Sequence, residues 1–162
     1  MVAVLTKQNL TIMKKSLILL YVAFLGIISC SDDKDPVFVD STKPTGTFEI
    51  KRSGTFIDEN KAGSTGMASL GVDSQGKEFL KFDENFKTAL ATGTVTVYLS
   101  TSSKFMADPE NGNPNLLAIG PVRMAGENYF SIPAGTSTAK YTHVLLWCGS
   151  AGIPFGHAEI KN

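Results

Sequence analysis

Alternation of apolar and polar residues is the feature that most restricts the fold of this chain from Gly46 onward. Residues 94–100 (TVTVYLS) put Val95, Val97 and Leu99 on one face and Thr94, Thr96, Tyr98 and Ser100 on the other. This period of two is typical of a half-buried β-strand. Shorter runs of the same kind occupy residues 67–72, 78–82, 128–133 and 157–161. The pattern indicates an all-β domain.

Segments of turn chemistry separate these runs, at residues 73–77, 109–115 and 133–138. Residues 142–148 (THVLLWC) are almost wholly apolar after His143, as expected of a strand buried on both faces. Residues 81–90 (KFDENFKTAL) are ambiguous and are compatible with one helical turn. We therefore predict an antiparallel β-sandwich of about eight short strands, with a closed β-barrel as the alternative.

The first thirty residues have the composition of a secretory signal. Lys14 and Lys15 precede an uncharged run whose apolar part, residues 17–28, has 12 residues. At about 1.5 Å per residue this part spans roughly 18 Å, short of the ~30 Å hydrocarbon core of a bilayer. Ser29 supplies the small residue that signal peptides place before the cleavage site. We predict a cleaved signal peptide over residues 1–29, with Met13 as the expected true start of translation.

Cys30 follows Ser29 directly, and this arrangement resembles the lipobox of bacterial lipoproteins, with Ile27 and Ile28 at positions where the family favours Leu and then Ala or Ser. The resemblance implies that Cys30 is diacylated, for example with palmitate, and becomes the mature N-terminus. Two acyl chains give the stable anchoring that one chain does not. The alternative is an uncleaved signal-anchor helix that ends at an unrelated cysteine.

The residues after Cys30 are acidic: Ser31, Asp32, Asp33, Lys34 and Asp35. They resemble the surface-export signal of Bacteroidota lipoproteins, which implies a lipid-anchored protein of the outer membrane that faces the exterior. The alternative is a solvated linker, because aspartate and the following Pro36 disfavour regular structure. Residues 30–45 are thus predicted to be a flexible, lipidated tether, and residues 46–162 the folded β domain.

Charge excludes one class of partner. The first 29 residues contain three lysines and no acidic residue, so the remaining 133 residues carry 12 basic and 15 acidic side chains. A net charge near −3 provides no electrostatic footprint for nucleic acid and no polybasic membrane patch. Attachment to a membrane is therefore expected through the lipid alone.

Several short motifs follow one another in order within residues 53–160, at residues 54–56, 65–68, 82–86, 97–100, 126–133, 147–148 and 155–158. Their order resembles the electron-transfer DM-thirteen domain of Skeletor-type proteins. That family has an opening Gly-x-Phe, a Ser/Thr-Gly-x-Ala step, a Phe-Asx-rich segment before a Val-Tyr-Leu-Ser strand, a Gly…Tyr-x-Ile-Pro strand (with Phe130 in place of the usual Tyr here) and a closing Trp-Cys…Phe-Gly-x-Ala hairpin. A histidine that the family often has before the Ser/Thr-Gly step is replaced by Lys61, Ala62 and Gly63. Any function that requires this histidine is therefore in doubt here.

The resemblance implies a redox role for Cys148, as a reactive thiol or as a ligand to an electron-carrying prosthetic group of unknown identity. The residues themselves also favour a second interpretation, a small apolar side chain in the core. His143 lies on the opposite face of the strand, whereas His157 is on the returning strand and can approach Cys148 if the register allows. Trp147 is expected to be a core aromatic.

Nothing in the sequence indicates a classical enzyme or a metal centre. The chain has no CxxC pair, no phosphate-binding loop, no histidine cluster with metal-ligand spacing and no Gly-x-Ser-x-Gly elbow. The predicted function is a surface-anchored lipoprotein with an electron-transfer domain and an unknown redox partner. The alternative is a non-enzymatic binding or adhesion module for a surface ligand.

Overall fold

The computed structural model of this chain describes residues 42–106 and 113–162. The predicted signal peptide, Cys30 and the acidic residues 31–35 lie outside this range. Within the described ranges, no helix has the length and apolar character needed to cross a membrane.

Nine strands form two antiparallel sheets in the described part of the chain, which contains no helix and no closed barrel. The four-stranded sheet has the order β1-β3-β4-β7, with β1 at Glu49–Thr55, β3 at Met67–Val72, β4 at Glu78–Phe82 and β7 at Asn128–Ser131. The five-stranded sheet has the order β2-β9-β8-β5-β6, with β2 at Ile57–Asp58, β5 at Val95–Ser100, β6 at Leu116–Pro121, β8 at His143–Cys148 and β9 at Ile153–Glu159. The predicted all-β sandwich is confirmed.

The core lies between the two sheets and is built by the alternation seen in the sequence. Val95, Val97 and Leu99 of β5 are buried, and Val97 and Leu99 pair with Leu146 and Val144 of β8. An aromatic cluster fills the rest of this layer, with ring centroids 4.5–5.4 Å apart. Its members are Phe56, Phe82, Phe86 and Phe130.

Residues 81–90 form no helical turn. β4 ends at Phe82, and a turn follows in which the Phe86 N–H donates to the Asp83 carbonyl oxygen. The Asp83 carboxylate accepts the Met67 N–H at 3.0 Å. Gly66 lies so close that a Cβ there would be 2.6 Å from the Phe86 Cα. Because these contacts place Phe86 in the core, the chain turns back immediately instead of continuing into a helix.

On the outer face of the five-stranded sheet, the location of Trp147 and the burial of Ser100 differ from the prediction. Trp147 pairs with Thr96 on this face, outside the core, and its ring stacks on Phe105 with centroids 4.0 Å apart and planes 13° apart. Ser100 lies on the outer face as predicted, yet it is buried and its hydroxyl accepts the Ser102 N–H. Residues 101–106 thus cover part of a face that the alternation had suggested to be open.

Candidate functional site: a buried thiol at a strand end

Cys148 is the last residue of β8 and faces the interior of the sandwich. It follows Val144 and Leu146 on the inward face and pairs with Val95 of β5 and Ile153 of β9. Its side chain has no exposed surface. In the part of the chain that the structure describes it is the one free cysteine.

A short exposed turn, residues 149–152 (GSAG), joins β8 to β9 beside the sulfur. The Gly152 N–H donates to the Cys148 carbonyl oxygen at 2.8 Å, and Gly149 N–H donates to the Thr94 carbonyl oxygen at 3.1 Å. Gly152 has a φ of 65°, which an L side chain adopts only with strain. The turn is therefore hydrogen-bonded both to β8 and to Thr94, the residue before β5.

Hydroxyl groups surround the sulfur on the side of this turn. Sγ of Cys148 lies 3.4 Å from Oγ of Ser150 and 3.6 Å from Oγ1 of Thr94. The Thr94 hydroxyl donates to Ser150 Oγ at 2.8 Å and accepts the Ser150 N–H at 3.0 Å. Because the Thr94 proton is used on Ser150, the Ser150 hydroxyl has its own proton available for the sulfur.

These donors lower the pKa of the Cys148 thiol to about 6. The Ser150 hydroxyl contributes most to the lower pKa, and the Thr92 hydroxyl and the Ala151 N–H act in the same direction. Thr94 also lowers the pKa, and because its proton is used on Ser150 it acts by orienting the Ser150 hydroxyl. Burial opposes them, because it disfavours the charged thiolate. The named causes are hydrogen bonds and burial, and no cationic side chain is among them. Hydrogen bonding to the charged form therefore favours a thiolate near neutral pH.

Neither histidine is paired with this thiol. His143 is on the outer face, where it pairs with Glu159, so its predicted position opposite Cys148 is confirmed. His157 pairs with Leu145 on the same outer face, and its Nδ1 lies 2.9 Å from the Glu59 carboxylate. The register of β8 with β9 thus excludes the approach of His157 to Cys148 that the sequence left open.

The region where the family often has a histidine is a tight turn. Asn60 and Lys61 have φ values of 52° and 58°, and the Ser64 N–H donates to the Asp58 carboxylate at 2.7 Å. Lys61 is exposed, and no residue of this turn is a hydrogen-bond partner of the Cys148 sulfur among the described contacts.

The surroundings of Cys148 do not fit a bulky prosthetic group on the sulfur. The residue belongs to the hydrophobic core, and its side chain is fully enclosed by neighbouring strands and the 149–152 turn. A group bound to Sγ would have to displace that turn. The implied role as a ligand to a prosthetic group therefore does not fit this enclosed side chain.

Sequence reasoning missed the residues that tune the thiol. Thr94 was assigned only to an outward face, and Thr92 and Ser150 were not singled out. The local signal was the Gly-Ser that follows Cys148. The approach of Thr94, which is 54 residues away, depends on the pairing of β5 with β8.

One of three comparisons with known proteins found a match. The family model described as Electron transfer DM13 matches residues 55–160, which include Cys148 and all the strands except most of β1. No curated protein and no solved structure matches the chain. Because the family model covers more than half of the 162 residues, the chain belongs to the Electron transfer DM13 family.

Proposed function

We propose that this protein is a redox protein whose reacting group is the thiolate of Cys148. The observation that carries the proposal is the set of hydroxyl and amide donors that lowers the pKa of this thiol to about 6 inside the core. At pH 7 a group with this pKa is about 90% ionised. An ordinary cysteine, with a pKa near 8.5, is only a few per cent ionised at that pH.

The chemistry that suits a lone thiolate is exchange with a disulfide of a redox partner. The Cys148 sulfur attacks one sulfur of that disulfide, a new S–S bond forms, and the second partner sulfur leaves as a thiolate. The Cys148 sulfur is thereby oxidised to the disulfide level while the leaving partner sulfur is reduced to a thiolate, and attack by a partner thiolate on the mixed disulfide releases Cys148 again as a thiolate. The exposed turn at residues 149–152 covers the sulfur, so its opening provides the access that this reaction needs.

A small aromatic disulfide tests this proposal on the folded full chain. We expect a mixed disulfide at Cys148, identified by peptide mass, that forms at pH 7 much faster than the chain unfolds. Ser150→Ala should slow the reaction, because it removes the largest contribution to the low pKa. Reaction only at the rate of global unfolding, unchanged in Ser150→Ala, would contradict the proposal and leave Cys148 as a packing residue.

We also propose that the domain is anchored to the outer membrane through diacylated Cys30 and displayed outward by residues 31–35. These residues lie outside the described ranges, and the support is the sequence alone. Cys30→Ala should move the protein from the membrane fraction to the soluble fraction. Asp32→Ala with Asp33→Ala should reduce proteolysis on intact cells while acylation is retained. Wild-type fractionation of Cys30→Ala would contradict the anchor.

One observation favours the alternative, a binding module for a surface ligand. Phe105 lies between Trp147 and Tyr98 on the outer face, with ring centroids 4.0 Å and 5.0 Å away. These three half-buried rings form an apolar patch on which a ligand can stack. Trp147 is the single tryptophan of the chain, so its fluorescence reports directly on this patch. A panel of glycans should change that emission in wild type and not in Phe105→Ala, and the absence of any change removes this alternative.

A further inference from the structure

The two histidines of the chain are neighbours on the outer face of the five-stranded sheet, although 14 positions separate them in sequence. His143 pairs with Glu159, and His157 pairs with Leu145, so the imidazoles lie diagonally across the β8–β9 ladder. Their ring centroids are 6.1 Å apart and their planes are inclined by 47°. This face is opposite the one that contains Cys148.

The hydrogen bonds of His143 determine its tautomer. The Thr142 hydroxyl donates its single proton to the Thr101 carbonyl oxygen at 3.2 Å. The same hydroxyl oxygen lies 2.9 Å from Nδ1 of His143, where it can only accept. Nδ1 of the neutral ring therefore carries the proton, and Nε2 carries the lone pair.

His157 has the same tautomer for a different reason. Its Nδ1 lies 2.9 Å from Oε1 of Glu59, and a carboxylate accepts hydrogen bonds without donating them. Nδ1 is thus the donor, and the lone pair is again on Nε2. Over residues 42–106 and 113–162, neither Nε2 has a hydrogen-bond partner, so two nitrogen lone pairs remain available on adjacent rings.

A further feature suits a cation at this position. Oε2 of Glu59 is buried and has no hydrogen-bond partner among the described residues. A metal ion on Nε2 of His157 would make the Nδ1–H a stronger hydrogen-bond donor to Glu59, as in carboxylate–histidine–metal arrangements. The stronger hydrogen bond would offset the free-energy cost of burying this carboxylate.

We infer that Nε2 of His143 and Nε2 of His157 form a binding site for a divalent transition-metal ion such as Zn²⁺, Cu²⁺ or Ni²⁺. Imidazole is a preferred ligand of these ions, with metal–nitrogen bonds of about 2.0–2.1 Å. A centroid separation of 6.1 Å is within the range that two imidazoles bound to one ion can have. Two nitrogen ligands exclude Ca²⁺ and Mg²⁺, because these ions require oxygen ligands.

Glu159 is the third ligand that the register offers. It lies opposite His143 and two residues from His157 on the same face, and its exposed carboxylate now binds Nζ of Lys161 at 2.9 Å. As they stand, the described residues contain no group of three or more His, Cys, Asp or Glu side chains arranged to hold a metal ion. Metal binding therefore requires Glu159 to leave Lys161, and water completes the coordination.

Calorimetric titration of Zn²⁺ into the full chain, produced without a polyhistidine tag, tests the site. We expect one equivalent to bind, with an affinity at least about tenfold lower in His143→Ala and in His157→Ala. Thr142→Val retains both rings but removes the acceptor that orients His143, and loss of such a partner typically weakens binding about 10–100-fold. Cys148→Ala is the matched control, because it removes the other soft ligand of the domain from the opposite face, and its affinity should equal that of wild type.

Nitrogen NMR of the wild-type imidazoles gives a readout that needs no variant. Before zinc is added, both rings should have the proton on Nδ1, and one equivalent of zinc should shift both Nε2 signals together. Unchanged affinity in His143→Ala, loss of binding in Cys148→Ala, or a zinc-induced shift of only one ring would overturn the inference.

Discussion

The two faces of β8 place very different chemistry on a strand of six residues. The inward side chains, Val144, Leu146 and Cys148, have no exposed surface. The outward ones include His143 and Trp147, which are half-buried among polar and aromatic neighbours. The only thiol of the domain is thus separated by the sheet from both histidines. The low pKa of the thiol consequently depends on hydroxyl and amide donors at the strand end, where β8 leaves the sheet.

Truncation of an inward residue should have the largest effect on stability. Leu146→Ala removes a fully buried side chain that packs between the sheets, and we expect a loss of about 2–5 kcal/mol in the free energy of unfolding. His143→Ala on the outward face loses mainly one hydrogen bond, so its loss should be about 0.5–1.5 kcal/mol. Denaturant unfolding of both variants measures this difference in the free energy of unfolding. Equal losses would contradict the distinction between the inward and outward faces of β8.

The pH dependence of the free energy of unfolding tests the inward face of β8 at Cys148. The folded pKa of Cys148 is about 6 and the unfolded pKa about 8.5. Between these values the unfolded chain binds more protons, so the thiol should make the fold more stable as the pH rises. Its contribution is complete above about pH 8.5 and is lost as the pH falls through about 6. Cys148→Ala should lack this slope in unfolding measured across that window, and parallel curves for the two proteins would refute the low folded pKa.

Removal of single hydroxyls should have smaller and graded effects. Ser150→Ala should raise the pKa of Cys148 more than Thr94→Val does, since Ser150 makes the largest contribution and Thr94 the smallest named one. The double variant should raise it further than either change alone. Alkylation rates as a function of pH measure each pKa. Thr96→Val, two residues after Thr94 and on the outer face of β5, is the control and should leave the pKa of Cys148 unchanged.

The sandwich could be predicted from the sequence because the alternation along β5 shows which of its side chains face the core. It could not assign the faces of β8 in the same way, because a run of Val, Leu, Leu and Trp gives no contrast between inside and outside. Trp147 was placed in the core for that reason. Its stacking depends on Phe105, which comes from a loop that covers the outer face.

The candidate site was harder to predict from the sequence than the fold. Cys148 was identified through the family resemblance, but its hydroxyl neighbours come from two separate segments. Thr94 reaches the sulfur only because Val95 pairs with Cys148. The two histidines meet only because β9 contains a register shift opposite Leu146 and Trp147. Long-range pairing of this kind leaves no pattern in the local sequence.

The central claim is that Cys148 is a thiolate near neutral pH although it is buried. The ultraviolet absorbance of the thiolate, recorded against pH on the folded full chain, tests it most directly when the spectrum of Cys148→Ala is subtracted to remove all other groups. We expect a single transition with a midpoint of about 6. A midpoint at or above about 8.5, the value of an unperturbed cysteine, would contradict it.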